Sequence, residues 1–468
     1  MASEQPVLET ALGHALNYLD SLDARSVAPV DGLDALRRKL GRPLPERQTP
    51  AVRVIDELVA DATGGIMASQ GGRFFAWVIG GGVPSAMAAD WLTSAWDQNA
   101  GVFAASPAAA VVEEIAGGWL KALFGLPAAA GFAFVTGAQM AHVTCLAAAR
   151  NALLARRGWD VGVAGLWKAP HLRVLAGPDR HGTVDRALRL LGHGTASIEL
   201  LPVDEAGRVT ADGLKAALSR SGDPAIVVLQ AGELNGGGFD SFATLVPVAH
   251  EAGAWVHVDG AFGLWARVAP AFAKLAEGIE LCDSWATDGH KYLNVPYDSG
   301  FAFVRDANAL FAAMTFSTSY LPNGGAARSP VDWNPEFSRR ARAFPVYAAI
   351  RELGRVGIAE LVIRTCMHAR QLVDGIGAIR GVEIFVRPTL NQGLVRFHSS
   401  RADATDADHD LYTDDVIARI NGTGEAFFGG VTWYGKRAMR VSVCNWRTTA
   451  QDIERTVAAV REVLRADC

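Results

Sequence analysis

Residues 225–259 read AIVVLQAGELNGGGFDSFATLVPVAHEAGAWVHVD, and the change of pattern inside this stretch decides the fold. AIVVLQAG (225–232) is a short apolar run that ends at the glycine-rich turn Gly236-Gly237-Gly238. TLVPVAHEAG (244–253) has helical spacing, and AWVHVD (254–259) returns to a strand pattern. Strand, helix and strand in so short a span form a βαβ unit. A strand buried on both faces reads as a near-continuous apolar run, because helices cover both sides of a parallel sheet.

The same alternation extends in both directions. GFAFV (131–135) precedes the helical CLAAARNALLARRG (145–158), and HLRVLAG (171–177) precedes TVDRALRLLG (183–192). DSWATDGHKYL (283–293) and SGFAFVRD (299–306) follow. An α/β fold with a mostly parallel sheet is therefore expected. After about residue 345 the pattern changes. A long helical segment (346–376) leads into VEIFV, LVRFH and MRVSVC, with further helices around 412–421 and 449–465. The expected division is an arm or cap over 1–110, a large domain over 111–345 and a small α+β domain over 346–468. The arm carries two glycine clusters, Gly71-Gly72 and Gly80-Gly81-Gly82.

Composition narrows the function classes. Half of the 468 residues are hydrophobic and 20% are charged, which excludes a disordered or fibrous chain. The 44 basic and 49 acidic residues give 44 − 49 = −5, with no basic stripe, so nucleic acid is not an expected partner. Five cysteines without a C-x-x-C pair argue against a disulfide framework and against a structural metal site. MASEQPVLETALGHALNYLD (1–20) lacks the basic and apolar regions of a secretion signal, and no run approaches the ~18 apolar residues of a membrane span. A cytoplasmic protein that avoids the membrane is expected.

Four features can carry chemistry. Lys291 lies in SWATDGHKYLNVPYDSG beside Asp288 and His290, at the end of a strand-like run. A lone lysine reads first as a surface side chain. A lysine held at the carboxyl end of a sheet strand, where ligands gather, can instead form a Schiff base with a carbonyl. Asp259 ends WVHVD and reads either as a cap of the next turn or as the carboxylate that pairs with a protonated pyridine nitrogen. Thr136, Gly137, Ala138 and Gln139 open a helix after GFAFV, and backbone N–H groups at a helix start bind phosphate. His181 precedes TVDRALRLLG, either as a helix cap or as a ring that stacks over a cofactor; His142 reads as a core histidine. Together the lysine, aspartate, helix start and histidine match the needs of pyridoxal 5'-phosphate.

The chain resembles the group II pyridoxal-phosphate-dependent amino acid decarboxylases, a fold-type I family that includes the aromatic amino acid and glutamate decarboxylases. FFAWVIGGGVPSAMAADWL (74–92), FAASPAAAVVEEIAGGWL (103–120), TGAQMAHVTCLAAAR (136–150), RHGTVDRALRLLG (180–192), WVHVDGAFG (255–263) and DGHKYLNVPYDSG (288–300) carry the likeness, the last most specifically. The resemblance implies a large domain with a mostly parallel seven-stranded sheet and a homodimer with its active site at the subunit interface. It implies that Lys291 holds the cofactor, Asp259 pairs with the ring nitrogen, His181 stacks on the ring and Ala261 packs on the other face. Gly137, Ala138 and Gln139 would bind the phosphate, helped by Asp288 or His290. Phe75, Trp77 and Gly80 fall in the segment similar to the family's substrate wall.

Two departures bear on the reaction. Glu233, in QAGELNGGGFD, stands where the family usually has a threonine. The stretch 321–342, LPNGGAARSPVDWNPEFSRRAR, similar to the family's mobile loop, contains no tyrosine to return a proton to the substrate. Tyr320 and Tyr347 flank it without matching that position. The expected activity is α-decarboxylation of an L-amino acid, aromatic or apolar, to the amine and carbon dioxide. Aldehyde-forming oxidative deamination, aldol-type cleavage or transamination on the same cofactor is the alternative. A non-catalytic dimer is opposed by the lysine, aspartate and histidine. A dinucleotide-binding fold is opposed because Gly375-Ile-Gly377 follows a helix rather than a strand.

Overall fold

The computed structural model describes residues 4–316 and 327–465. The chain divides into two compact units, one of residues 80–367 and 386–393, the other of residues 1–79, 368–385 and 394–468. The expected arm over 1–110 is thus split between residues 79 and 80, and backbone pairing explains where. Phe75 N–H donates to the Phe427 carbonyl and Ser442 N–H to the Phe75 carbonyl, which ties this segment to the C-terminal strands. Gly80 N–H donates to the His290 carbonyl and Val83 N–H to the Asn294 carbonyl, so the next residues belong with the lysine segment. The helical segment Ala343–Gly377, kinked at Gly354, also spans the boundary expected near 345.

The larger unit is built on seven strands: β1 (Gly131–Val135), β2 (Arg173–Ala176), β3 (Ile198–Leu200), β4 (Ala225–Gln230), β5 (Trp255–Asp259), β6 (Ser284–Asp288) and β7 (Gly300–Val304). Their order in the sheet is β1-β7-β6-β5-β4-β2-β3, and only β7 runs antiparallel to its neighbours. The link from β6 to β7, residues 289–299, has no crossover helix, so the chain must return antiparallel. β1 and β7 carry the same pentapeptide, GFAFV, and pair antiparallel with Phe132 opposite Phe303 and Ala133 opposite Ala302. Phe134 and Phe301 meet edge to face with ring centres 5.0 Å apart.

The helix Ala138–Ala155 lies across the middle of the sheet. Its buried face presents Ala141, Cys145, Ala148 and Ala149, small side chains that let the backbone approach the strands closely. Because β1, β4, β5 and β6 share one direction, their carboxyl ends gather on one edge and present Thr136, Gln230, Asp259 and Asp288 there. This edge is where open α/β sheets bind ligands.

In the smaller unit the four strands β8 (Val382–Val386), β9 (Gln392–Phe397), β10 (Gly429–Trp433) and β11 (Lys436–Ser442) are ordered β10-β11-β9-β8. Helices Asp406–Gly422 and Ala450–Arg465 pack around a core that includes Phe75, Val395, Phe397, Ile420, Phe428 and Val441. Helices Gln5–Asp20, Leu33–Leu40 and Ala51–Ala62 contain no buried residue. Among the described residues, no helix is long and apolar enough to cross a membrane.

Candidate active site

Lys291, Asp259, His181, Ala261, Gly137, Ala138, Gln139, Asp288 and His290 all line one cleft of about 320 Å³. Strand ends supply the acids, the helix Ala138–Ala155 supplies the backbone donors, and the turn after β6 supplies the amine.

Lys291 Nζ lies 3.0 Å from Asp288 Oδ2 and 5.9 Å from the centre of the Phe262 ring. Asp288 also accepts the Ala138 N–H at 2.6 Å, so one carboxylate ties the lysine to the helix start. A carboxylate has no hydrogen to offer a phosphate. In this geometry Asp288 holds the Lys291 amine and the Ala138 N–H. The His290 ring stacks on Tyr297 with centres 4.3 Å apart, and its Nδ1 accepts the Ser299 N–H at 3.3 Å. Its Nε2 therefore faces Asp288 Oδ1 at 3.4 Å as the donor. Burial lowers the His290 pKa, and Asp288 opposes the shift.

Asp259 is buried at the end of β5 beside Gln230, its partner across β4. One oxygen accepts the Ala261 N–H at 3.2 Å, and the other faces His142 Nε2 at 3.6 Å. His181 is the N-cap of the helix Gly182–Leu190. Its Nδ1 accepts from Thr183 N–H at 3.2 Å and lies 2.7 Å from Thr183 Oγ1, which fixes the ring while leaving it at the cleft. The cap and site readings of this histidine are therefore compatible.

Close backbone packing builds the phosphate end. A Cβ on Gly300 would lie 2.3 Å from Gly137 Cα, so only glycine lets β7 pass this tightly behind the loop. Gln139 Nε2, at the helix start, is buried and has no hydrogen-bond partner. An unmet donor beside a helix N-terminus, a buried carboxylate and an amine form a donor set that fits pyridoxal phosphate.

The three candidates for substrate contact separate. Phe75 is fully buried in the smaller unit and stacks on Phe428 with centres 5.4 Å apart, which explains it as core. Trp77 is 52% exposed and packs at a tilt on Phe74 and Phe427, with ring planes 36° and 39° apart. Gly80 is explained by packing: a Cβ there would meet the Lys291 carbonyl oxygen at 2.2 Å. Glu233 is buried and turns into its own loop, where its carboxylate accepts N–H groups of Asn235 and Gly236. Burial raises its pKa to about 6, more than those backbone donors lower it.

Thr183, Gln230, Gly232, Leu234 and Phe262 complete the lining and escaped the sequence reading. Gln230 could have been found, since it ends the strand next to Asp259. Phe262 and Leu234 carry no chemical signature. Thr136, singled out with the helix start, lines the cleft too.

An open α/β sheet with one reversed strand, carrying an amine and a buried acid at its strand ends, is the architecture of the fold-type I pyridoxal phosphate enzymes. The family model described as the pyridoxal-dependent decarboxylase conserved domain matches residues 34–400, and the chain belongs to that family. It is a pyridoxal phosphate-dependent carboxy-lyase that acts on amino acids. It is 25% identical over 446 residues to an aromatic-L-amino-acid decarboxylase of Bacillus atrophaeus, covering 94% of this chain and 90% of the relative. It is 24% identical over 426 residues to a 4-hydroxyphenylacetaldehyde synthase of Rhodiola rosea, covering 88% and 85%. The crystal structure of Oryza sativa TDC with PLP and tryptamine superposes with a TM-score of 0.91 at 25% identity, over 99% of this chain and 97% of that one.

Two outcomes are expected here. Gly80→Ala should displace the lysine turn, cost about 1–3 kcal/mol of stability and weaken cofactor binding, as checked by thermal melts and a cofactor titration. Melts and titration like those of the parent would contradict the packing account. For Glu233, the folded pKa stands above the ordinary 4.5, so its contribution to stability is full below 4.5 and is lost as pH rises through about 6. That gap corresponds to about 2 kcal/mol. Glu233→Gln should therefore flatten the dependence of Tm on pH between 4.5 and 7, and an unchanged slope would contradict it.

Proposed function

We propose that this enzyme decarboxylates an aromatic L-amino acid at Cα, giving the amine and carbon dioxide. The observation that carries the reading is the convergence of Lys291, Asp259 and the helix start at 138 on one cleft whose remaining wall includes the apolar Phe262 and Leu234. An aromatic side chain is supported by the Bacillus atrophaeus relative, an aromatic-L-amino-acid decarboxylase, and by the Oryza sativa protein solved with tryptamine.

Bound pyridoxal phosphate supplies the electron sink that takes up the pair left on Cα when carbon dioxide departs. Lys291 would hold the cofactor until the substrate amine replaces it, and its released Nζ can then hold a proton and deliver it to Cα. Asp288 stands 3.0 Å from that nitrogen. Asp259 keeps a positive charge at the ring nitrogen, which stabilises the transition state more than the ground state. The positive end of the helix Ala138–Ala155 would hold the phosphate, with Gly137, Ala138, Gln139 and His290 around it. His181 and Ala261 would confine the ring.

A second reading is aldehyde formation. It is favoured by the absence of tyrosine from 321–342 and by the Rhodiola rosea relative, an aldehyde synthase. Residues 321–326 of that stretch, and Tyr320, lie outside the described residues. Incubation with tryptophan, tyrosine and phenylalanine distinguishes the two. The proposal expects carbon dioxide and amine in equal amounts. Aldehyde, ammonia and hydrogen peroxide, with dioxygen consumed, would overturn it.

A homodimer is proposed as well. It is supported by Leu8, Leu12 and Leu16, which are exposed at four-residue spacing along one helix face that none of the described residues covers. Light scattering is expected to give twice 49.6 kDa, and a monomer would contradict it. A cytoplasmic location fits the four described cysteines, none of which is in a disulfide.

Substitutions at the two central residues give opposite signatures. Lys291→Ala should abolish the visible absorbance of the lysine-linked cofactor; a retained band would overturn the lysine assignment. Asp259→Ala should keep some cofactor yet lose most turnover, and near-normal turnover would contradict its role.

A further inference from the structure

Behind Asp259, on the side away from the cleft, four fully or almost fully buried side chains are joined in a line. Trp255 Nε1 lies 2.9 Å from Ser284 Oγ, Ser284 Oγ 2.9 Å from His257 Nδ1, and His257 Nε2 2.9 Å from His142 Nδ1. His142 Nε2 is buried without a hydrogen-bond partner and faces Asp259 Oδ2 at 3.6 Å, just beyond hydrogen-bond distance. Strand alternation places Trp255, His257 and Asp259 on one face of β5. The helix Ala138–Ala155 brings His142 over them, with the two imidazoles edge to face at 83°.

The direction of this line follows from donor chemistry. Indole N–H can only donate, so Ser284 Oγ accepts from Trp255. Each neutral imidazole has one donor and one acceptor nitrogen, so the two rings must point the same way. In one direction the Ser284 hydroxyl donates to His257, His257 Nε2–H to His142, and His142 Nε2–H points at the Asp259 carboxylate. In the other direction the His142 Nε2 lone pair faces that carboxylate, two acceptors meet without a hydrogen between them, and a buried nitrogen has no partner. That arrangement is costly in a dry interior. Burial lowers the pKa of both histidines, so the line stays uncharged.

We propose that Trp255, Ser284, His257 and His142 are positioning residues, a one-way line that directs the His142 Nε2–H at Asp259 and holds its carboxylate toward the cofactor's ring nitrogen, keeping that nitrogen protonated. The proposal rests on the reading of Asp259 as the ring-nitrogen partner and adds what holds that carboxylate. Without the line, Asp259 keeps one backbone donor, Ala261 N–H, on one oxygen, and nothing directs the other. A carboxylate free to turn no longer supports a charged ring nitrogen.

The test uses the loaded enzyme and two kinds of ¹⁵N label. With ¹⁵N-histidine, and His142→Leu and His257→Leu variants to assign the signals, both His142 and His257 should carry their hydrogen on Nε2. A His142 hydrogen on Nδ1 would overturn the proposal, and this result does not depend on any variant being active. With the ring nitrogen of pyridoxal phosphate labelled, the parent should give the shift of a protonated pyridine, and His142→Leu should move it toward the unprotonated value. A shift unchanged in that variant, with the cofactor still bound, would overturn the proposal. In the same variant kcat should fall about 10–100-fold with little change in KM, the scale seen when a group that orients a ligating side chain is removed. Failure of the Asp259 reading itself looks different: the parent enzyme would show an unprotonated ring nitrogen before any substitution is made.

Discussion

A carboxylate buried at the end of a central strand needs polar partners around it, and Asp259 sits under that constraint. Parallel pairing with β4 and β6 buries it, and Ala261 N–H gives it a single short-range donor. What surrounds it follows from the need for more. The His142 edge lies on one side and the cleft on the other.

The sheet meets this constraint by collecting chemistry at one edge. Parallel strands bury their apolar length, and their carboxyl ends are where the chain turns and polar side chains find room. Asp288 occupies such an end, and it couples the amine of Lys291 to the first N–H of the helix at 138. Glycine enters where backbones must touch: Gly300 against Gly137 behind the phosphate loop, and Gly80 against the Lys291 carbonyl. These contacts give a closely packed frame around the Lys291 amine.

Much of this frame was legible in the sequence, because apolar runs broken by helices have few interpretations. The βαβ order, Lys291, Asp259 and the helix start all come from local pattern. The reversal of β7 depended on a connection without a helix. The split of the arm at 79/80 depended on hydrogen bonds to residues more than 200 positions away, which no local pattern encodes. Phe75 looked like a wall residue because it is aromatic and near a motif, yet it is core. Glu233 looked like a replacement in the site, yet its carboxylate closes its own turn. The buried line behind Asp259 was half visible: alternation put His257 on the face of Asp259, but His142 joins it only through tertiary packing.

The account depends on one nitrogen, Lys291 Nζ, being the attachment point in a site built around Asp259. Borohydride reduction of the cofactor-loaded enzyme, followed by digestion and peptide mass mapping, tests this directly. The account predicts the reduced cofactor on the peptide that contains Asp288-Gly289-His290-Lys291, in close to one copy per chain. The label on any other lysine, or no fixed label in an enzyme that still turns over, would contradict it.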